Sequence, residues 1–219
     1  MSGIILTVFG RGPPPIPPPA IGSAYQGGYM AGQISYAGNG IASHNLIVSP
    51  KATGGTSAQW KTSDTASVDT GNWETGYENS VALYTAGHTA AIFCRNLTIG
   101  GYTDWYLPAM NELEILFFNL KPGGAGNTGA NNAAANAYAV PSRAGTNYGG
   151  YSNPSQTTAV IFQSGGEQEL VAMANWSSNN SGTTWGRYIQ MSDGFAWGAG
   201  KSNSFPIRAI RKVAVGTAP

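Results

Sequence analysis

The sequence predicts an α+β domain in which two helices are enclosed by short antiparallel strands, with an extended Pro-rich arm at the N-terminus. Three observations lead there. Among 219 residues there are 31 Gly and 13 Pro, so turns are frequent and long helices few. Two stretches, near residues 75–96 and 108–120, carry apolar residues at three- and four-residue spacing. The other apolar runs are short, β-branched or aromatic, and bounded by Gly, Asn and Ser, as strands are.

In chain order, Gly3 to Phe9 reads as a strand, and Pro13-Pro14-Pro15-Ile16-Pro17-Pro18-Pro19 must be extended polyproline II. Together residues 1–20 form an arm expected to dock on a partner chain, and residues 21–219 form the domain. Tyr25 to Ile34 and Asn45 to Ser49 read as strands around the turn Gly38-Asn39-Gly40. Thr75 and Glu78 have capping-box spacing. Val81, Tyr84, His88, Ala91 and Ile92 then predict one helix to about Asn96, stopped before Gly100-Gly101. A second helix opens at Pro108, shows Leu113, Leu116, Phe117 and Leu120 on one face, and ends at Pro122-Gly123-Gly124. From Gly123 to Asn153 the chain is Gly, Asn, Ala and Tyr with hardly a charge, a long loop of the kind that serves function. Strands return at Val160–Gln163, Ala174–Ser178, Trp185–Met191 and Phe205–Val213, with a hairpin over Asp193-Gly194.

Composition excludes several functions. Only 10% of residues are charged, against roughly 25% in ordinary soluble domains. The net charge is +1 and the eleven cations are scattered, so the basic footprint of a nucleic-acid binder is missing. The run Ile4 to Phe9 is too short to cross a bilayer, and no cation precedes it as in an export signal. A surface-type composition without an export signal is what a virion component, made in a host cytoplasm, would show. Cys94 is the only cysteine, so no intrachain disulfide can form, and its apolar surroundings predict a core position.

Gly101-Tyr102-Thr103-Asp104-Trp105-Tyr106-Leu107-Pro108, followed by Asn111-Glu112-Leu113, resembles the DW-x-LP…EL signature of the Lcl C-terminal domain family, which has many phage members. Three further blocks agree in order. Leu46-Ile47-Val48-Ser49-Pro50-Lys51 resembles an early strand of phage members. Asn175-Trp176-Ser177-Ser178 resembles YWSS, with Asn175 in place of Tyr. Ile207-Arg208-Ala209-Ile210-Arg211 resembles the closing VRAVR strand. The match spans roughly Ile21 to Val213 and leaves out the arm. It implies a C-type-lectin-like fold, related to that of formylglycine-generating enzymes, and a role in adhesion. The residues also read as fold-makers: Asp104 is placed to cap the helix near Pro108, Trp105 to fill the core, and Glu112 to favour the helix's positive end.

Catalytic sets are incomplete. Formylglycine-generating relatives use paired cysteines, and their iron-dependent sulfoxide-forming cousins use three histidines; this chain has Cys94, His44 and His88. The same count fails a zinc site. Gly124 to Gly129 matches G-x-G-x-x-G by spacing but follows a helix and opens none. No G-x-S-x-G occurs. Glu167 and Glu169 read as solvated turn charges. Calcium-dependent lectins use acidic loop and Trp-Asn-Asp ligands, whereas Trp176 precedes Ser177-Ser178 and Asn153-Pro154-Ser155 lacks an acid. The expectation is therefore a non-enzyme with no cofactor and no metal.

What remains for binding is the long loop, where Tyr138, Asn147, Tyr148, Tyr151 and Asn153 combine aromatic rings with amides, as antibody paratopes do. Trp185 and Trp197 are expected to pack in the core or sheet. The resulting expectation is a bacteriophage virion surface protein, a tail- or fibre-associated adhesin binding a host surface glycan or protein. The arm would join other virion proteins, and the adhesin analogy implies a homo-oligomer, a trimer. The alternative is a purely structural capsid or tail decoration subunit whose loop packs only against neighbours. Neither reading requires nucleic acid or membrane insertion.

Overall fold

Leu46, Ile47 and Val48 are completely buried, and the domain is built around their strand, β3 (His44–Val48). The computed structural model describes residues 17–127, 135–143 and 153–216. The strand expected at Gly3–Phe9 and most of the polyproline run lie outside them. β2 (Gly28–Ile34) and β10 (Ile210–Ala214) flank β3, both antiparallel. β1 (Ala24–Tyr25) and β5 (Ala139–Val140) each pair with β2. The order β1-β2-β3-β10 thus sets the end of the domain beside its beginning.

Three short helices connect the sheets before the main one: α1 (Lys51–Gly54), α2 (Gly76–Ala82) and α3 (Thr89–Arg95). The main helix, α4 (Met110–Leu120), packs on β2 and buries Leu113, Leu116, Phe117 and Leu120, the face its spacing predicts. β4 (Gly55–Gln59) pairs with β9 (Ser204–Arg208). β6 (Ala174–Ser181), β7 (Trp185–Gln190) and β8 (Ala196–Gly200) form a three-stranded sheet. Between these sheets lies a second core of Trp60, Trp105 and Trp176 with Met30, Ile47 and Ile207. Each large indole there has its N–H satisfied: Trp60 by the Ser177 carbonyl at 2.8 Å, Trp176 by Ala58 at 3.1 Å, Trp105 by Tyr102 at 3.1 Å. The architecture is α+β.

Several expectations are corrected. The stretch 75–96 is two helices, because Gly87 takes φ +92° and the Leu83–His88 turn breaks the ladder. Val81 and Tyr84 are consequently half-exposed surface residues. Thr75 and Glu78 make no capping box: the Thr75 hydroxyl is buried without a partner, and Glu78 pairs with Lys212 at 3.1 Å. The run Tyr25–Ile34 is a hairpin turning at Gln26-Gly27. α4 starts at Met110, after Pro108. Val160–Phe162 is a 3-10 turn that buries only Phe162, against Tyr29. Phe205–Val213 is two strands: Ala209 donates to Gly54 and accepts from Ser49, moving the chain from the β4 ladder to the β3 ladder.

The four sequence blocks lie against one another. Asp104 does not cap a helix; it holds the Arg211 guanidinium bidentately at 2.7 and 3.0 Å. Arg211 also stacks on Tyr102, 3.8 Å from the ring centre. Tyr106 exchanges backbone hydrogen bonds with Ile210 at 2.8 and 2.9 Å. Ser178 donates its N–H to the Pro108 carbonyl, and Arg208 donates to the Ser49 carbonyl at 2.7 Å.

Glu112 sits at the centre and is fully buried. Its Oε2 accepts the backbone N–H of Ala109 at 2.9 Å, satisfying the start of its own helix, and that of Gly76 at 3.1 Å, satisfying the start of α2. Its Oε1 accepts the hydroxyls of Tyr36 and Tyr106 at 2.9 and 2.8 Å. Gly76 is required by this approach, since a Cβ there would lie 2.4 Å from Oε2. Burial pushes the Glu112 carboxyl up to about 7, against the pull of its N–H and phenol donors.

Two outcomes are expected. Trp105→Ala should cost about 3–5 kcal/mol in denaturant unfolding, as deletion of a buried aromatic does; an unmoved midpoint would contradict the core position. For Glu112, the folded state holds the proton more tightly than the unfolded chain. Its stabilisation is full below the ordinary 4.5 and is lost as pH rises to about 7, by at most about 1.4 kcal/mol per pH unit. The stability of the wild type relative to Glu112→Gln should therefore fall across that window and level off above it. A difference flat with pH would refute the shift.

Candidate binding site

The described parts of the Gly123–Asn153 stretch are fastened by two buried polar clamps. Lys121 follows α4 and is 1% exposed. Its ammonium donates to the Ala125 carbonyl and the Asn127 Oδ1, both at 2.5 Å, and to the Pro154 carbonyl at 3.4 Å. Asn127 in turn donates to Pro154 at 2.9 Å. Burial lowers the Lys121 pKa, yet three oxygens meet its three protons, so the cation closes the stretch at its base.

The second clamp grows from α4 itself. Glu114, 1% exposed, accepts from Asn136 Nδ2 at 2.7 Å and from both arms of the Arg143 guanidinium. Such a forked pair fixes geometry as well as charge. The guanidinium also lies over Phe118 at 4.1 Å. Asn136 and Arg143 exchange backbone hydrogen bonds, and Asn136 Oδ1 accepts the N–H groups of Tyr138 and Ala139. Residues 135–143, expected as open loop, are therefore a folded turn that adds β5 to the main sheet.

Of the expected ligand-binding residues, Asn147, Tyr148 and Tyr151 lie outside the described residues. Tyr138 is half-buried against the core, and its carbonyl accepts the Ser35 N–H at 2.7 Å, so it is mainly a packing residue. Asn153 is exposed beside the Lys121 clamp. No hydrogen bond or ring contact joins Tyr138 to Asn153. The segments 128–134 and 144–152 begin and end on the two clamps.

Trp185 and Trp197 correct another expectation: they are 44% and 50% exposed. Strand alternation carried the signal for Trp185, because Gly186 and Tyr188 of the same strand turn toward Trp176. The Trp185 indole instead lies over Gly198, where a Cβ would meet it at 3.1 Å. Trp197 neighbours Phe195, ring centres 6.5 Å apart.

The two histidines and the cysteine are engaged by neighbouring groups. His88 is 5% exposed, bridges Thr85 and Ser67 hydroxyls at 2.9 Å each, and has its pKa lowered by burial. His44 contacts the Ser43 hydroxyl at 3.1 Å, and burial lowers its pKa too. Cys94 lies in the second core, where burial raises its thiol far above the ordinary range. Among the described residues no cluster of His, Cys, Asp and Glu could hold a metal ion, and no helix is long and apolar enough to cross a membrane. No family model and no curated protein matches this chain.

The Lys121 clamp generates a test. Lys121→Met removes hydrogen bonds to a charged donor, each worth about 1.5–3 kcal/mol. Thermolysin cleavage between residues 123 and 154 should accelerate by at least about tenfold, the equivalent of one such bond. Near-ultraviolet circular dichroism should still report the folded core. Cleavage at the wild-type rate would mean that the ammonium does not hold the stretch.

Proposed function

We propose that this protein is a C-type-lectin-like domain of the Lcl C-terminal type, acting without catalysis as a tail- or fibre-associated adhesin on a bacteriophage virion. The observation that carries the reading is a division of labour. Asp104 and Glu112 of the family-like blocks spend their carboxylates inside the fold, on Arg211 and on two helix starts. The Gly123–Asn153 stretch is fastened by separate clamps at Lys121 and Glu114. A rigid scaffold carrying a firmly based, charge-poor loop is how recognition surfaces are built. The early and last strands lying side by side, with helices between them in sequence, also fit a lectin-like domain. The arm, residues 1–20, would dock on other virion proteins, and the assembly would be a trimer.

Binding through Tyr148, Tyr151 and Asn147 would rest on ring faces and amide hydrogen bonds. It should survive moderate salt, unlike an interface screened over a Debye length of about 10 Å at 0.1 M. It should also survive chelator, because the acidic ligands of calcium-dependent lectins are missing from the sequence. Tyr148→Ala with Tyr151→Ala should weaken sedimentation with host envelopes by at least about tenfold, as paired aromatic hot spots do. Full attachment by the double variant would favour the structural decoration reading, and loss of attachment with chelator would refute a metal-free site.

A further inference from the structure

Arg208 is 5% exposed and makes no ion pair among the described residues. Its Nε donates to the Ser49 carbonyl at 2.7 Å, and its Nη2 to the Gln168 carbonyl and side-chain oxygen, both at 3.2 Å. All are neutral acceptors, and Nη1 makes no hydrogen bond among the described residues. Burial lowers the guanidinium's pKa to about 10, so it stays charged at neutral pH. Lys121 and Lys201 are also buried among neutral oxygens, but each has three acceptors for its three protons, whereas Arg208 keeps donors to spare that a bound anion would accept from.

The guanidinium borders a cavity of about 300 Å³ between β4, β9 and the start of β6. Leu170 and Val171 give it apolar walls, and Ser57, on the same face of the β4–β9 ladder as Arg208, brings a hydroxyl. Lys51 adds a second cation, 40% exposed and only loosely paired with Glu169 at 3.9 Å. Glu169 is itself engaged by the Gly165 N–H and the Ser164 hydroxyl. Two cations, a hydroxyl and apolar walls in a space of monosaccharide size match a hexuronate: its carboxylate for the cations, one of its hydroxyls for Ser57, its ring face for Leu170 and Val171.

We propose that this cavity is a binding site for an acidic sugar, whose carboxylate pairs with Arg208 and Lys51. None of its described lining residues belongs to the Gly123–Asn153 stretch, so the site goes beyond the reading above and stands independently of it.

The test titrates the full, isotope-labelled chain with sodium glucuronate and, separately, with methyl glucoside, following the amides of Thr56, Ser57 and Arg208. Glucuronate should shift them saturably, and methyl glucoside should not. Arg208 is left intact because it ties residues 49 and 168 together. Val171→Glu instead places a carboxylate in the cavity; it should raise the melting temperature and weaken glucuronate at least about tenfold, the effect of one lost charged contact. Lys51→Ala should weaken it less, as expected of an exposed cation. Replacing residues 144–152 by a Gly-Ser linker should leave the glucuronate shifts unchanged, which separates this site from the loop. Equal shifts with both sugars, no shift with either, or glucuronate binding undiminished in Val171→Glu would overturn the proposal.

Discussion

The interaction on which the rest depends is the buried carboxylate of Glu112. A helix start exposes backbone N–H groups that need acceptors, and α2 and α4 both begin in the interior. One carboxylate serves both, through Gly76 and Ala109, while two tyrosine hydroxyls meet its other oxygen. Removing it would leave several buried donors unpaired at once, a far larger loss than one hydrogen bond. The Asp104–Arg211 pair performs the matching task at the opposite end of the same segment, tying it to the last strand. Residues 104–113 are thus the joint between the helical layer and the main sheet.

Legibility in the sequence followed how local each signal was. α4 was plain because its face repeats at helical spacing and Pro122-Gly123 ends it. β3 and β6 were plain as apolar or hydrogen-bonding runs between turn signals. Residues 75–96 carry the spacing of one helix because residues of two separate helices fall in compatible register, and the break lies at Gly87, whose φ is +92°. The capping of α2 could not be read locally, since its acceptor comes from Glu112, far along the chain. For the same reason Asp104 looked like a cap: only the fold brings Arg211 to it. The split at Ala209 likewise depends on two partner strands that no single run reveals.

Function divides along the same line. Tyr138 was grouped with the loop aromatics on composition, but its neighbour Asn136 is bound to Glu114, and the ring is drawn onto the core. Arg143 and Lys121, unremarkable as scattered cations, turn out to fix the base of the stretch that carries Tyr148 and Tyr151. Arg208 differs from both, because its Nη1 makes no hydrogen bond among the described residues and the residue lines a cavity. Lys121 and Arg143 thus close the structure, while Arg208 leaves a place for something else.

The central claim is that the family-like blocks build the domain while residues between the clamps attach it to the host surface. The most direct measurement replaces residues 144–152 with a Gly-Ser linker of equal length, keeping Asn136, Arg143 and Lys121, and reads thermal unfolding and host-envelope attachment on the same preparation. The account predicts a melting temperature within a few degrees of wild type, since surface changes usually stay within about 0.5 kcal/mol, together with loss of attachment. Attachment at wild-type strength on an intact fold would contradict it.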